Sequence, residues 1–270
     1  MKIPKIFRRS PIDKNLPIIV VLEGGMGTQI IQAAVYFSLK QEGRTVYADL
    51  SYFDTAARMA EVGKAGELTH WFWQLERFGL TQASFELSPG LTKKNADILR
   101  DGGRMLELGL KALAQPDIQR IFKESADISS ILTKDVLSGF LCIHVRRGDY
   151  VNIASHLLIS DEEFIRLIGK FSGIIDHVVI LSDSPIEQSF RNEVSAHFKT
   201  ALFLDNIDPY ASHQVMRCAR IIVCSNSTFS LTAAALNPNA LVIVPKQWFS
   251  GKYREIEAPI QSRCSFQIMK

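Results

Sequence analysis

Two adjacent arginines, Arg146 and Arg147, are the residues of this sequence best suited to chemistry on an anion. They end an apolar run, Gly139 to Val145, that reads as a buried strand, and they would emerge where that strand leaves its sheet. In open α/β sheets the carboxyl ends of strands are where ligands bind. Two guanidiniums there offer planar forks of donors to a dianionic group such as phosphate. His144 precedes them on the strand, and Asp149 follows within reach of either guanidinium or of a substrate hydroxyl.

Three other segments have the same form, a strand end followed by small or polar residues. Ser225-Asn226-Ser227-Thr228 lies between an apolar run and a helical pattern, so its hydroxyls and the helix amides can form a nest for phosphate. Leu181-Ser182-Asp183-Ser184 ends another strand. Asp183 can accept paired N–H groups of a guanine or a ribose hydroxyl, Asp205 just past a further strand is an equal candidate, and Ser184 is expected to cap the next helix. Gly24 to Gln29 follows the first strand, and Gly25, Gly27 and Gln29 are candidates for close approach to a ligand, with a tight structural turn as the alternative. The turn is neither a G-x-G-x-x-G nor a G-x-x-x-x-G-K motif. No Asp-x-Asp, H-E-x-x-H or G-x-S-x-G occurs, so no metal is expected, and a diphosphate here would be neutralised by arginine and helix dipoles.

The 270 residues are 47% hydrophobic and 22% charged, as expected of a globular chain of one large or two smaller domains. The net charge of +3 is uneven: the first 16 residues carry +4 and the remainder −1. A near-neutral body lacks the basic stripe that nucleic acid requires. The basic start is read as a flexible tail over residues 1–16, with peripheral contact to an anionic membrane as the sharper alternative. Cys142, Cys218, Cys224 and Cys264 form no C-x-x-C pair and are expected to be reduced, in a cytoplasmic protein. No apolar run reaches the length of a membrane-spanning helix.

The elements that must position these residues follow from hydrophobic period. Pro17–Leu22 and Thr45–Leu50 read as strands around a helix at Ile30–Lys40. Helices are expected in Asp54–Arg77, Asn95–Leu113 and Asp117–Leu132, with a short strand at Ser84–Leu87. Trp71, Phe72, Leu75 and Phe78 would form an apolar face. After Gly139 strands and helices alternate regularly, with a capping box at Ser160-x-x-Glu163 opening one helix. The spacing predicts an α/β chain of two units, 17–138 and 139–270, the first opening as a doubly wound fold.

Together these segments resemble the α-1,2-fucosyltransferases of glycosyltransferase family 11. His144 to Tyr150 match the family's His-x-Arg-Arg-Gly-Asp-Tyr throughout, and Ser225 to Ser230 match its Ser-Asn-Ser-x-Phe-Ser. Gly24 to Gln29 stand for its first turn, Gly-Gly-Leu-Gly-Asn-Gln, with Met26 for Leu and Thr28 for Asn, Ser182-Asp183-Ser184 stands for Ser-Asp-Asp, and Pro245, Trp248 and Phe249 match a later Pro-x-x-Trp-Phe. Leu231 and Thr232 replace a tryptophan pair. The resemblance implies a GT-B-type fold, two Rossmann-like domains facing a cleft, with 17–138 on the acceptor side and 139–270 binding the nucleotide sugar. It implies inverting, metal-independent transfer of fucose from GDP-β-L-fucose to a galactose O2 of a glycan, such as a lipid-linked O-antigen unit. Arg147 or Arg146 would clamp the β-phosphate. Asp149 would act as base or hold an arginine, Glu23 is a further base candidate, and early departure of GDP would need none. The alternatives are a GT-B transferase of another nucleotide sugar, or a non-catalytic GDP- or glycan-binding relative.

Overall fold

A computed structural model describes residues 15–55, 72–90, 92, 94–100, 102–123, 128–153, 156–205, 207–245 and 247–249. The basic tail to residue 14, most of the expected helical region after Asp54, Trp71 and Cys264 lie outside them. The chain divides into two compact units, Met1–Ser125 and Ala126–Lys270. This boundary falls earlier than the one expected at residue 138, because the turn Ile128–Ser130 packs against a helix of the second unit, Pro209–Arg217.

The first unit holds a parallel sheet in the order β2-β1-β3, with β1 Ile18–Val21, β2 Val46–Asp49 and β3 Asp97–Leu99. All four residues of β1 are buried, which is why that run is continuously apolar. Helix α1, Met26–Gln41, begins inside the expected Gly-rich turn, with Gly25 at its N-cap. It packs against α2, Gly103–Leu113. A Cβ on Gly109 would lie 2.5 Å from Ile31 Cγ2 and 3.0 Å from the Ile31 carbonyl oxygen, so the crossing requires glycine there.

Two expected elements change form. The stretch after Asn95 is not one helix: Asp97–Leu99 pairs with Ile18–Val20 as an edge strand, and helix resumes only at Gly103. Strand pairing to a buried neighbour outweighs a local helical pattern. The long helix expected from Asp117 is the short α3, Pro116–Ile121, with Pro116 in the first turn. Ser84–Leu87 gives a single bridge, Ala48 to Leu87. Of the expected aromatic face, Leu75 and Phe78 are buried but Phe72 is 52% exposed.

After α4, Lys134–Leu137, the described residues of the second unit carry five parallel strands: β4 Leu141–Val145, β5 His177–Ser182, β6 Thr200–Asp205, β7 Ile221–Val223 and β8 Leu241–Ile243. Their order is β6-β5-β4-β7-β8. The chain therefore builds outward from β4 in one direction, then returns and builds outward in the other. The reversal lies between β4 and β7. Leu141, Ile143 and Val145 face a core with Phe164, Leu167, Phe190 and Val194, from α5 (Asp161–Ile168) and α6 (Gln188–Ser195). Alternation turns Cys142 and His144 to the opposite face. There lie α7, Pro209–Arg217, and α8, Thr228–Ala235, which pack on each other. Ser160 and Glu163 form the expected capping box at α5. Two parallel α/β units are what a GT-B-type fold is built from, and both are present.

Candidate active site

The crevice at a strand-order reversal is where open parallel sheets bind ligands, because the loops on either side diverge to opposite faces. In the second unit the loop after β4 is the arginine segment and the loop after β7 is Ser225–Ser227. Leu141–Ile143 pairs with Ile221–Val223 in register, so these two loops leave neighbouring strands side by side.

Arg146 is held at both ends of its fork. Nη1 meets Asp183 Oδ2 at 2.7 Å, Nη2 bonds to Asp149 Oδ1, and the guanidinium lies 4.9 Å from the centre of the Tyr150 ring. Arg147 turns another way: Nη2 bonds to Asp161 Oδ1 at 2.7 Å at the start of α5, and the group stands 6.0 Å from the Phe164 ring centre. The two guanidiniums thus have separate environments, which adjacency in sequence did not reveal. The partners of Arg146 are its own loop and the β5 loop. Those of Arg147 belong to the packing of α5.

The β5 loop buckles onto the arginine loop residue by residue. Asp183 Oδ1 accepts from the Arg147 N–H at 2.8 Å, and Ser184 Oγ accepts from the Gly148 N–H at 3.0 Å. A Cβ on Gly148 would overlap the Asp183 carboxylate. Asp183, expected as a guanine or ribose ligand, instead spends both oxygens ordering this loop. Ser184 does not cap a helix, since α6 begins later, at Gln188. Asp205, the other ligand candidate, accepts from Arg191 Nη2 at 2.8 Å and from the Ile186 N–H at 3.2 Å, and so braces the same loop from β6.

His144 is buried, with Nδ1 2.7 Å from Ser225 Oγ and its ring 5.3 Å from that of Phe229. Burial first, and the Arg146 guanidinium second, hold its pKa down to about 3. It is a neutral strut between β4 and the Ser225 loop. Burial likewise pushes His213, 3.2 Å from Thr232 Oγ1, well below its ordinary value. Thr232 and Leu231, which stand in for a tryptophan pair, are themselves buried in this α7–α8 packing.

Ser227 is the N-cap of α8, its Oγ accepting from the Phe229 N–H at 3.3 Å. Thr228 opens the helix, and no acidic residue occupies the first turn, so the positive end of the helix is unneutralised by its own side chains. Ser225 and Asn226 face inward. Asn226 Nδ2 donates to the carbonyls of Leu157 and Trp248, the latter at 2.9 Å, so this amide fastens two segments and does not line the nest as expected.

In the first unit Gly25 caps α1 and Gly27 lies buried within its first turn, while Gly24 adopts φ +77, which favours glycine. Gln29 is fully buried. Its Nε2 donates to the carbonyls of Gly24 at 2.8 Å and Phe72 at 3.1 Å, and its Oε1 accepts from the Gln74 N–H at 3.0 Å. It is therefore a structural bolt and not a ligand contact. Glu23, a candidate base, sits in a two-pronged ion pair with Arg100, the shortest contact being 2.7 Å. Among the described residues no group of three or more His, Cys, Asp or Glu side chains stands ready for a metal ion, and no helix is long and apolar enough to cross a membrane.

The sequence profile described as Glycosyl transferase family 11 matches residues 119–261, more than half of the chain. The chain belongs to glycosyl transferase family 11. The matched span carries every strand-end segment of the second unit, whereas Gly24 to Gln29 lies outside it. No curated protein matches the sequence significantly. Solved structures that resemble this family 11 chain include POFUT1 in complex with GDP, at 16% identity and TM-score 0.47, covering 85% of this chain and 97% of that one. NodZ alpha-1,6-fucosyltransferase soaked with GDP-fucose is 14% identical at TM-score 0.42, covering 83% and 94%. The E. coli heptosyltransferase WaaC with ADP is 13% identical at TM-score 0.45, covering 86% and 88%.

Sequence reasoning missed three parts of this family 11 site. Asp161, inside the Ser160-x-x-Glu163 capping box, gives no sign in the sequence of a second role, yet it holds Arg147. Ser184 was assigned to the wrong partner. Tyr150 was noted as part of a motif without a role, although its ring carries Arg146. Their bonds join residues 14 or more positions apart or stack side chains, and neither leaves a mark in hydrophobic period.

Proposed function

We propose that this chain transfers L-fucose from GDP-β-L-fucose to a glycan hydroxyl, with inversion and without a metal. The acceptor position is galactose O2, in a surface polysaccharide such as O-antigen, built at the cytoplasmic face of a membrane that the basic N-terminus contacts. The observation that carries the reading is the pairing at the strand-order reversal: a guanidinium on the β4 side and the N-terminus of α8 on the β7 side. As the sugar leaves, charge grows on the β-phosphate of GDP, and preorganised positive groups aimed there lower the barrier.

Arg146 is the better phosphate clamp of the two arginines, because its partners are loop carboxylates beside the reversal. Asp183 keeps Nη1 in place while Nη2 can exchange Asp149 for a phosphate oxygen. Asp149 released in this way can accept the acceptor's hydroxyl proton. Ser227, Thr228 and the first-turn amides of α8 take the other diphosphate oxygens. His144, neutral and buried, supports the loop and carries no proton.

The test is release of GDP from GDP-fucose with a glycan acceptor array, run beside GDP-, UDP- and dTDP-sugar panels and with EDTA. Transfer restricted to GDP-fucose and insensitive to EDTA is expected. Turnover of a different nucleotide sugar, or loss of activity with EDTA, would overturn the corresponding part. GDP binding with no turnover on any acceptor would identify a non-catalytic relative.

A further inference from the structure

Tyr150 joins the two loops that flank the strand-order reversal. One face of its ring lies under the Arg146 guanidinium at 4.9 Å. The ring of His156 stands 4.2 Å away, and His156 in turn pairs with Phe249 through an isolated antiparallel bridge. Its hydroxyl donates to the carbonyl of Asn226 at 3.3 Å and also reaches the Ser227 side chain, the cap of α8. Asn226 is itself anchored by its amide to the carbonyls of Leu157 and Trp248. The phenol therefore bonds to one loop while its ring carries the cation of the other. A phenol keeps its proton at neutral pH, and burial raises the pKa of this one further, so it is a donor there.

We infer that Tyr150 is a positioning residue of the transfer reaction, acting through Arg146 and the α8 N-terminus and setting the gap between guanidinium and amides that a diphosphate must bridge. This rests on the donor reading above. The argument is geometric. A guanidinium on a flexible stem holds a fixed position only if its plane is packed, and stacking on an aromatic face does this without consuming any of its donors. Donor groups misplaced by about 1 Å can cost about 100-fold in rate even when the substrate still binds. The hydroxyl and the ring have separable tasks: the first fixes the ring to the Ser227 loop, and the second fixes Arg146 to the ring.

The experiment compares Tyr150→Phe and Tyr150→Leu with the parent in two assays. One is turnover of GDP-fucose, with kcat and KM resolved. The other is calorimetric binding of inorganic pyrophosphate, which needs no sugar. Tyr150→Phe keeps the stack and is expected to lower kcat about tenfold while KM and pyrophosphate affinity change less than about threefold. Tyr150→Leu removes the platform and is expected to weaken pyrophosphate about tenfold as well. In an Arg146→Lys background, Tyr150→Phe should cost less than twofold further, since the two act as one unit. Parent-like kcat in Tyr150→Phe, or unchanged pyrophosphate affinity in a folded Tyr150→Leu, overturns the inference. If the parent does not turn over GDP-fucose, the donor reading fails and the pyrophosphate arm decides the inference alone.

Discussion

The turn after β1 and the loop after β4 begin alike, with an apolar strand ending in residues that invite a ligand, and they are put to opposite uses. Around Gly24 the Gln29 side chain turns inward and its amide bonds to three backbone partners, while Glu23 pairs with the exposed Arg100. Around Arg146 the charges are held by one another at the protein surface, in pairs whose side chains are 14 to 23% exposed. A side chain satisfied by backbone carbonyls cannot be released without leaving them unpaired. A cation held by carboxylates can trade one anion for another at modest cost. The difference identifies which of two similar strand ends belongs to structure and which to ligand.

Substitutions at the two places should therefore fail in different ways. The largest effect is expected from Arg146→Ala, which should reduce kcat/KM for GDP-fucose by about 100-fold or more, about 3 kcal/mol, as for loss of one oxyanion donor. Arg147→Ala should cost less in turnover than Arg146→Ala. Steady-state kinetics of both decide this, and a larger loss at Arg147 would reverse their roles. Gln29→Ala removes three buried hydrogen bonds and should lower unfolding free energy by about 2–4 kcal/mol in urea titrations. Its GDP affinity should stay within twofold of the parent, and a tenfold loss would restore Gln29 as a ligand contact.

A pH effect is expected in the second region. The pKa of His144 is depressed in the folded state, so between its unfolded value near 6.5 and about 3 the unfolded chain binds the extra proton. Stability must then fall as pH drops through that window, at up to about 1.4 kcal/mol per unit, roughly 2 kcal/mol by pH 5. His213 contributes in the same direction. His144→Gln should flatten this limb in thermal melts at pH 5 and 7.5, and an equal slope would show that His144 is not the proton acceptor. Smallest of all, Gly148→Ala places a methyl on Asp183 and should cost about 1–3 kcal/mol of stability, with turnover falling in step as the loop shifts. Turnover unchanged in a folded Gly148→Ala protein would show that the Asp183 brace does not set the arginine geometry.

Much of the second unit was legible in the chain because its inner strands β4, β5 and β7 are buried throughout and read as short apolar runs. The carboxyl ends of β4, β5 and β7 fall within a residue or two of the expected strand ends. The first unit was less legible. Asp97–Leu99 is an edge strand with a partly buried pattern, and only its pairing with β1 distinguishes it from the start of a helix. The same limit applies to the site. That Arg146, Asp149, Ser227 and Thr228 belong near one another could be argued from strand ends. That Asp183 orders a loop, that Asn226 fastens carbonyls and that Arg147 belongs to Asp161 could not.

Residue types and their spacing determined which loops carry charge and hydroxyls, that the strands are parallel and buried, and to which family the chain belongs, since each follows from local pattern. The tertiary structure decided which polar groups are already spent. Hydrogen bonds to distant segments engage the Gln29 amide, both oxygens of Asp183 and the amide nitrogen of Asn226, and strand order brings the Arg146 loop beside the α8 N-terminus. Whether a side chain remains available to a ligand depends on its partners, and those are chosen only when the sheet assembles.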